Sequence, residues 1–103
     1  MTDSITVTEL EALLKDKMTL LDVRRKADYL ASPGKIGSAD WQDPENTGTW
    51  AKQLPKDRLT VVYCVKGGSV SRSVADQLHQ EGLEAVFLEG GLQAWTENGG
   101  AVE

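Results

Sequence analysis

The cysteine Cys64 stands where the sequence most clearly suggests chemistry. It lies at the end of an apolar run, "LTVVYCV", and is followed by two glycines and a helical pattern. A side chain just before a helix start lies near backbone N–H groups that have no helical partner, and near the positive end of the helix dipole. Cysteines in such places are commonly ionised, and the thiolate is the nucleophilic form. We therefore predict that Cys64 is a nucleophile, although a lone cysteine is otherwise more often a small buried hydrophobe.

The residues after the cysteine predict a loop that can hold an anion. Two glycines permit the positive φ angles that turn several N–H groups towards one point. Lys66 adds positive charge, and the hydroxyls of Ser69 and Ser71 can donate hydrogen bonds or cap the helix. We expect the sulfur to be held by Val65, Lys66, Gly67, Gly68 and Ser69.

Supporting roles are expected at the ends of neighbouring strands. Asp22 and Arg24 end the run "LLDVR", and we predict that they brace the cysteine loop while Arg24 adds positive potential near the sulfur. The alternative is an ordinary surface ion pair. In "RRK", only Arg24 is expected to leave the solvated face. Glu89 is a candidate either to orient the cysteine loop or to cap the last helix, and Trp41 is a candidate for the pocket wall.

The elements that must position these residues alternate between strand and helix. The apolar patterns first predict a strand through Ile5 and Val7, a helix with a Thr8–Glu11 capping box, a strand over 18–24, a small helix around Tyr29 and a loop over 32–44. They then predict a helix capped by Asp43, a strand over 59–65, a helix with Val70, Val74 and Leu78 inside, a strand within "EAVFLEGG" (84–91) and a last helix with Trp95. This alternation predicts an α/β fold with a mainly parallel sheet of about five strands. Sites in such sheets lie beyond the carboxyl ends of the strands, where Cys64 is placed.

Composition narrows the classes of function. The 103 residues are expected to form one domain, 1–103, and their net charge of −5 and the absence of a basic run longer than "RRK" argue against nucleic-acid and membrane partners. One cysteine and one histidine cannot form an internal disulfide or a closed zinc site. The chain has no apolar run near the ~20 residues of a membrane span, and its start lacks the pattern of a secretory signal, so we expect a cytoplasmic location.

Two segments together resemble the single-domain rhodanese family. They are "LLDVRRKADY" and "VVYCVKGGSVSRSVADQLHQEGLEAVFLEGGLQAW", and the resemblance runs from about Ile5 to Trp95. It implies a three-layer rhodanese-like fold and a transfer of sulfane sulfur from a donor such as thiosulfate, through a persulfide on Cys64, to a thiophilic acceptor such as cyanide or a thiol. No metal or organic cofactor is implied. The loop is also similar to that of a small bacterial subgroup found in chromate-resistance operons.

Departures from the family pattern bear on the donor. The commonest rhodanese loop has an arginine five residues after the cysteine, where this chain has Ser69. A loop with less fixed charge is expected to hold a thiosulfate dianion less firmly, and Lys66 and Arg72 are the candidates to compensate.

Two other functions remain open at this point. One is a persulfide carrier or interaction module that hands sulfur to a partner protein. The other, less favoured, is a phosphatase or arsenate reductase on the same fold, which needs an arginine where the chain has Val70.

Overall fold

The computed structural model describes residues 3–37 and 39–102 of the chain. Within these residues, five strands alternate with five α-helices. The strands are β1 (Asp3–Ile5), β2 (Thr19–Asp22), β3 (Asp40–Trp41), β4 (Thr60–Tyr63) and β5 (Ala85–Leu88). The helices are α1 (Val7–Leu13), α2 (Lys26–Ala31), α3 (Thr47–Trp50), α4 (Ser69–Gln80) and α5 (Gly91–Glu97), and 3₁₀ turns at Pro44–Asn46 and Ala51–Gln53 flank α3.

The strands form one sheet in the order β1-β5-β4-β2-β3, and every neighbouring pair is parallel. Every residue of β4, the central strand, is buried, which accounts for the apolar residues that dominate its sequence. Because the strands are parallel, their carboxyl ends lie at one edge of the sheet, where β4 leads into Cys64. The predicted α/β fold with a parallel sheet of about five strands is confirmed.

Helices cover both faces of the sheet and make three layers. On one face Val62 packs in a core cluster with Val74 and Leu78 of α4. On the other, Val61 belongs to a second cluster that includes Trp95 of α5. Neighbouring residues of β4 thus point into different cores, as strand geometry requires. Each fully buried aliphatic side chain contributes about 1.5–3 kcal/mol, so both layers of helices are held mainly by these contacts.

The first helix begins earlier than the sequence predicted. The capping box is formed by Thr6 and Glu9, whose side chains each bond the other's backbone N–H, so the predicted box at Thr8 and Glu11 is wrong. Both pairs have the same spacing, and the sheet decides between them. Strand β1 ends where Ile5 lies opposite Leu88, which leaves the next residue free to cap the helix.

A short strand lies in the segment that was predicted to be loop. Asp40–Trp41 pairs with the end of β2 and forms the edge of the sheet. The cap predicted at Asp43 is confirmed, since its carboxylate accepts the N–H of Glu45 at 2.9 Å and Pro44 follows in the first turn.

The longest helix, α4, has 12 residues. In the described part of the chain, no helix has both the length and the apolar character that crossing a membrane demands.

Candidate active site

Cys64 directly follows β4, and its side chain is close to a second polar group. Its Sγ lies 3.2 Å from the Oγ of Ser71, which is in the first turn of α4. Both residues are buried, and Cys64 is 5% exposed. The thiol donates to the hydroxyl in this arrangement. A serine hydroxyl can rotate, so it can instead donate to the sulfur once the thiol is ionised.

The loop after the cysteine turns through one left-handed glycine, not two. Gly67 has φ +69°, whereas Gly68 has φ −90° and ψ −143° and immediately precedes α4. The expectation of positive φ at both glycines is therefore wrong for Gly68. The helix also begins without a side-chain cap, so neither Ser69 nor Ser71 caps it.

The backbone amides of this loop are left without acceptors. Within residues 3–37 and 39–102, none of the N–H groups of residues 65–69 donates a hydrogen bond to a protein acceptor. Such groups at the start of a helix form favourable surroundings for an anion. The loop can therefore accept a negatively charged group beside Cys64.

The start of α5 holds the loop from behind. The N–H groups of Leu92 and Gln93 donate to the carbonyls of Cys64 and Val65, at 2.8 and 2.9 Å. These bonds fix the backbone of Cys64 and Val65. They come from backbone groups at the start of α5, so no side chain in "GGLQAW" indicates this role in the sequence.

Two glycines make this close contact possible. A Cβ on Gly67 would lie 2.5 Å from the N of Gly90, and a Cβ on Gly91 would overlap the carbonyl O of Cys64. Gly91 also has φ +57°, which side-chain-bearing residues rarely adopt. The chain needs glycine on both sides because main chain packs directly on main chain here.

A cavity of about 330 Å³ opens at Cys64. One side is formed by the end of β2 and by α2, with Arg24, Arg25 and Asp28. The other side is the cysteine loop, with Cys64, Val65, Lys66, Gly68, Ser69 and Val70. Of the loop residues predicted from sequence, only Gly67 is absent from the wall, because it faces α5 instead. Arg25 and Asp28 were not predicted. Their position just beyond the carboxyl end of the strand that leads into Asp22 and Arg24 was the signal that could have found them.

Asp22 and Arg24 form a buried ion pair, so the alternative of a surface pair is wrong. They are 0% and 2% exposed, and Arg24 Nη2 lies 2.6 Å from Asp22 Oδ2. The guanidinium also donates to the carbonyls of Ser32 and Gly34, at 2.7 and 3.0 Å. The segment that this pair braces directly is therefore 32–34, across the sheet edge from the cysteine loop.

Arg24 contributes little free positive charge to the cavity. Burial acts to lower the pKa of Arg24, but the hydrogen bonds and the charge of Asp22 outweigh burial and leave that pKa above its ordinary value. The guanidinium is thus permanently charged and is neutralised by its partner at contact distance. The predicted contribution of Arg24 to the potential near the sulfur is small for this reason.

Tyr63 completes the buried polar network, and sequence reasoning missed it. Its hydroxyl donates to Asp22 Oδ2 at 3.3 Å and accepts the N–H of Ile36 at 3.1 Å. Burial raises the pKa of Tyr63 above its ordinary value, and the charge of Asp22 raises it further. In the sequence this tyrosine is one of several apolar strand residues, and nothing there indicates that its hydroxyl meets a carboxylate.

Three other candidates lie away from the cavity wall. The guanidinium of Arg72 lies over the ring of Phe87, 5.4 Å from its centroid, so it is not brought to the sulfur. Glu89 accepts a hydrogen bond from the hydroxyl of Ser4 and does not cap α5, so the predicted cap is wrong. Trp41 donates its ring N–H to the carbonyl of Arg24 and lies outside the wall.

The chain belongs to the rhodanese-like domain family, whose model matches residues 6–98. The family predicted from the sequence is thereby confirmed, and the narrower likeness to proteins of chromate-resistance operons stays a prediction.

The fold and sequence are similar to those of several known proteins. A rhodanese-related protein from Thermoplasma volcanium is 31% identical, with a TM-score of 0.85 over 98% of this chain and 97% of that one. A rhodanese-like domain protein from Staphylococcus aureus is 26% identical, with a TM-score of 0.82 over 99% of each chain. Among curated proteins, a probable adenylyltransferase/sulfurtransferase MoeZ from Mycobacterium tuberculosis is 27% identical, and the match covers 79% of this chain. It covers 25% of that relative, so the chain spans about a quarter of its length.

Proposed function

We propose that the chain is a sulfurtransferase that moves a sulfane sulfur from a donor such as thiosulfate to a thiophilic acceptor through a persulfide on Cys64. The observation that carries this proposal is the placing of Cys64 in a cavity of about 330 Å³, beside a loop whose amides at 65–69 have no protein acceptor in the described chain. Membership of the rhodanese-like family and the likeness to a probable sulfurtransferase support it.

The reaction balances as two displacements at sulfur. In the first, the Cys64 thiolate attacks the outer sulfur of thiosulfate, an S–S bond to Sγ forms, the S–S bond of thiosulfate breaks, and sulfite leaves with the electron pair. In the second, cyanide or a thiolate attacks the outer sulfur of the persulfide, and the Cys64 thiolate leaves. Dividing one transfer into two steps through a covalent intermediate is the usual gain of nucleophilic catalysis.

The residues around Cys64 have separate tasks in this scheme. The free amides of the loop stabilise the negative charge of the thiolate and then of the persulfide. Ser71, 3.2 Å from Sγ, donates to the sulfur when it is ionised. The buried pair of Asp22 and Arg24 acts at a distance, because its bonds to the carbonyls of Ser32 and Gly34 fix the position of Arg24, which lines the cavity.

Intact-mass spectrometry tests the proposal directly. We expect the chain to gain the mass of one sulfur atom after thiosulfate treatment, to lose it on addition of cyanide, and to yield an equal amount of thiocyanate. Cys64→Ser, which is almost the same shape, should show neither event, and its circular dichroism should match the wild type. If the wild-type mass stays unchanged with both thiosulfate and an aromatic thiosulfonate, the proposal is refuted.

A persulfide carrier is the second candidate, and one observation favours it. The curated relative combines adenylyltransferase and sulfurtransferase in its name, and only 25% of its length corresponds to this chain. A carrier would gain the sulfur atom as above but release it slowly to cyanide and to small thiols. A catalyst would release it to at least one of them within each turnover, so single-turnover rates of the second step separate the two candidates.

A further inference from the structure

The positive charge at the mouth of the cavity comes from fewer residues than the sequence suggests. Three cationic side chains line the wall, Arg24, Arg25 and Lys66. The first is neutralised by Asp22 at contact distance. Net positive charge is therefore left to Arg25 and Lys66, and it is opposed by the carboxylate of Asp28 on the same wall.

Arg25 is placed to act across the cavity from the cysteine loop. It immediately precedes α2 and is exposed, as expected for the solvated face, but it also lines the cavity. Among residues 3–37 and 39–102 it forms no ion pair. It lines both the cavity of Cys64 and a neighbouring cavity of about 490 Å³, and Ser69 and Val70 of the cysteine loop border both of these spaces. An anion between the loop and α2 would thus meet Lys66 on one side and Arg25 on the other.

We propose that Arg25 is the donor-binding residue that recognises the anionic oxygens of the sulfur donor. This inference rests on the proposed function and adds to it the side chain that binds the donor. A guanidinium offers parallel N–H donors that fit two oxygens of one such group, which an ammonium cannot do. Arg25 in this way supplies, from the residue that precedes α2, fixed positive charge opposite Lys66 of the cysteine loop.

Alkylation of Cys64 by two reagents of similar shape tests the charge without requiring sulfur transfer. Iodoacetate carries a negative charge and iodoacetamide does not, so the ratio of their rates reports the potential at the sulfur. We expect Arg25→Gln to lower this ratio roughly fivefold at low salt, and added salt to reduce the difference. Lys26→Gln is the matched control, since Lys26 is the next residue, is exposed and lies outside the wall, and it should leave the ratio close to that of the wild type. Asp28→Asn should raise the ratio.

Kinetics with donors of different charge test the recognition itself. Arg25→Gln should raise the KM for thiosulfate, a dianion, more than that for benzenethiosulfonate, a monoanion, with kcat little changed.

The proposal is overturned if the alkylation ratio is the same in Arg25→Gln and wild type, or if Lys26→Gln lowers it equally. Failure of both reagents to reach Cys64 would also count against it. A lowered ratio in a chain that accepts no sulfur from any donor would instead leave Arg25 as an anion-binding residue and refute the proposed function.

Discussion

Replacing Asp22 by asparagine should destabilise the fold strongly. The change keeps the shape of the side chain but removes the charge that pairs with Arg24, and both residues are almost completely buried. The carboxylate accepts bonds from the Nε, Nη2 and backbone N–H of Arg24. Removing one partner of a buried pair costs about 3–5 kcal/mol, because the remaining charge is left uncompensated. A domain of this size has roughly 5–15 kcal/mol of stability in total, so the midpoint of thermal unfolding should fall by roughly 15–30 °C.

Unfolding followed by far-UV circular dichroism, in urea and on heating, measures this loss. Asp57→Asn is the matched control, because Asp57 pairs with Arg58 at 3.3 Å on the surface and its side chain is 67% exposed. That substitution should cause no measurable change. If the charge left on Arg24 is the cause, then Arg24→Met should destabilise the Asp22→Asn variant much less than it destabilises the wild type, since only the bonds to Ser32 and Gly34 are then lost. A loss below about 1 kcal/mol in Asp22→Asn would show that the buried charge is tolerated and that the reasoning fails.

Three further predictions concern the loop, the network and the sulfur. Gly91→Ala should displace the cysteine loop and abolish persulfide formation. Gly99 also has a positive φ, +82°, but open space surrounds it, so Gly99→Ala should cost only about 1–2 kcal/mol of backbone strain and leave activity intact. Intact-mass and unfolding measurements check both variants. Because burial raises the pKa of Tyr63 above 10.0, the unfolded state ionises first as pH rises, so wild-type stability should fall above that pH. Tyr63→Phe should reduce this slope by up to about 1.4 kcal/mol per pH unit in urea titrations. Ser71→Ala should slow the first sulfur transfer by roughly 10–100-fold through loss of a hydrogen bond to a charged sulfur, whereas Ser73→Ala, an exposed neighbour, should not.

Each of these three has an outcome that contradicts it. Equal persulfide yields from the two alanine variants at glycine would mean that the contact behind the loop is not needed. Parallel stability curves for wild type and Tyr63→Phe above pH 10.0 would mean that this phenol does not govern the alkaline loss. Equal single-turnover rates in both serine variants would exclude a hydroxyl contribution to the sulfur.

The layering of the fold could be predicted because hydrophobic periodicity reports burial directly. Strand β4 is buried on both faces and is mainly apolar, with Thr60 as the exception, and the stripe of Val74 and Leu78 on α4 meets it. Strand β3 was missed because its two residues, an exposed aspartate and a half-buried tryptophan at the sheet edge, carry no such pattern. The choice of Thr6 over Thr8 as the cap depends on pairing with β5, which lies far away in the sequence.

The candidate site was predictable where the local sequence is chemically distinctive. It was not predictable where the direction of a long side chain decides which residues come into contact. Cys64 and its loop were found because a thiol, glycines and a helix start occur together. Arg24, Arg25 and Arg72 could not be told apart in the same way, because their side chains are long and their neighbours come from other elements. Arg24 turns inward to Asp22, Arg72 lies over Phe87, and only Arg25 is left on the cavity wall without a partner in the described residues.

The contact between Gly67 and Gly91 limits how the specificity of this site can change. Because main-chain atoms pack directly on main-chain atoms behind the cysteine loop, no exchange of side chains can move the loop back, and bulkier residues there would displace Cys64 instead. Attempts to redirect the chain towards larger donors should therefore vary α2 and the residue before it, around Arg25 and Asp28, on the opposite side of the cavity. A library restricted to that helix would sample new specificities while the backbone that carries the sulfur stays as it is.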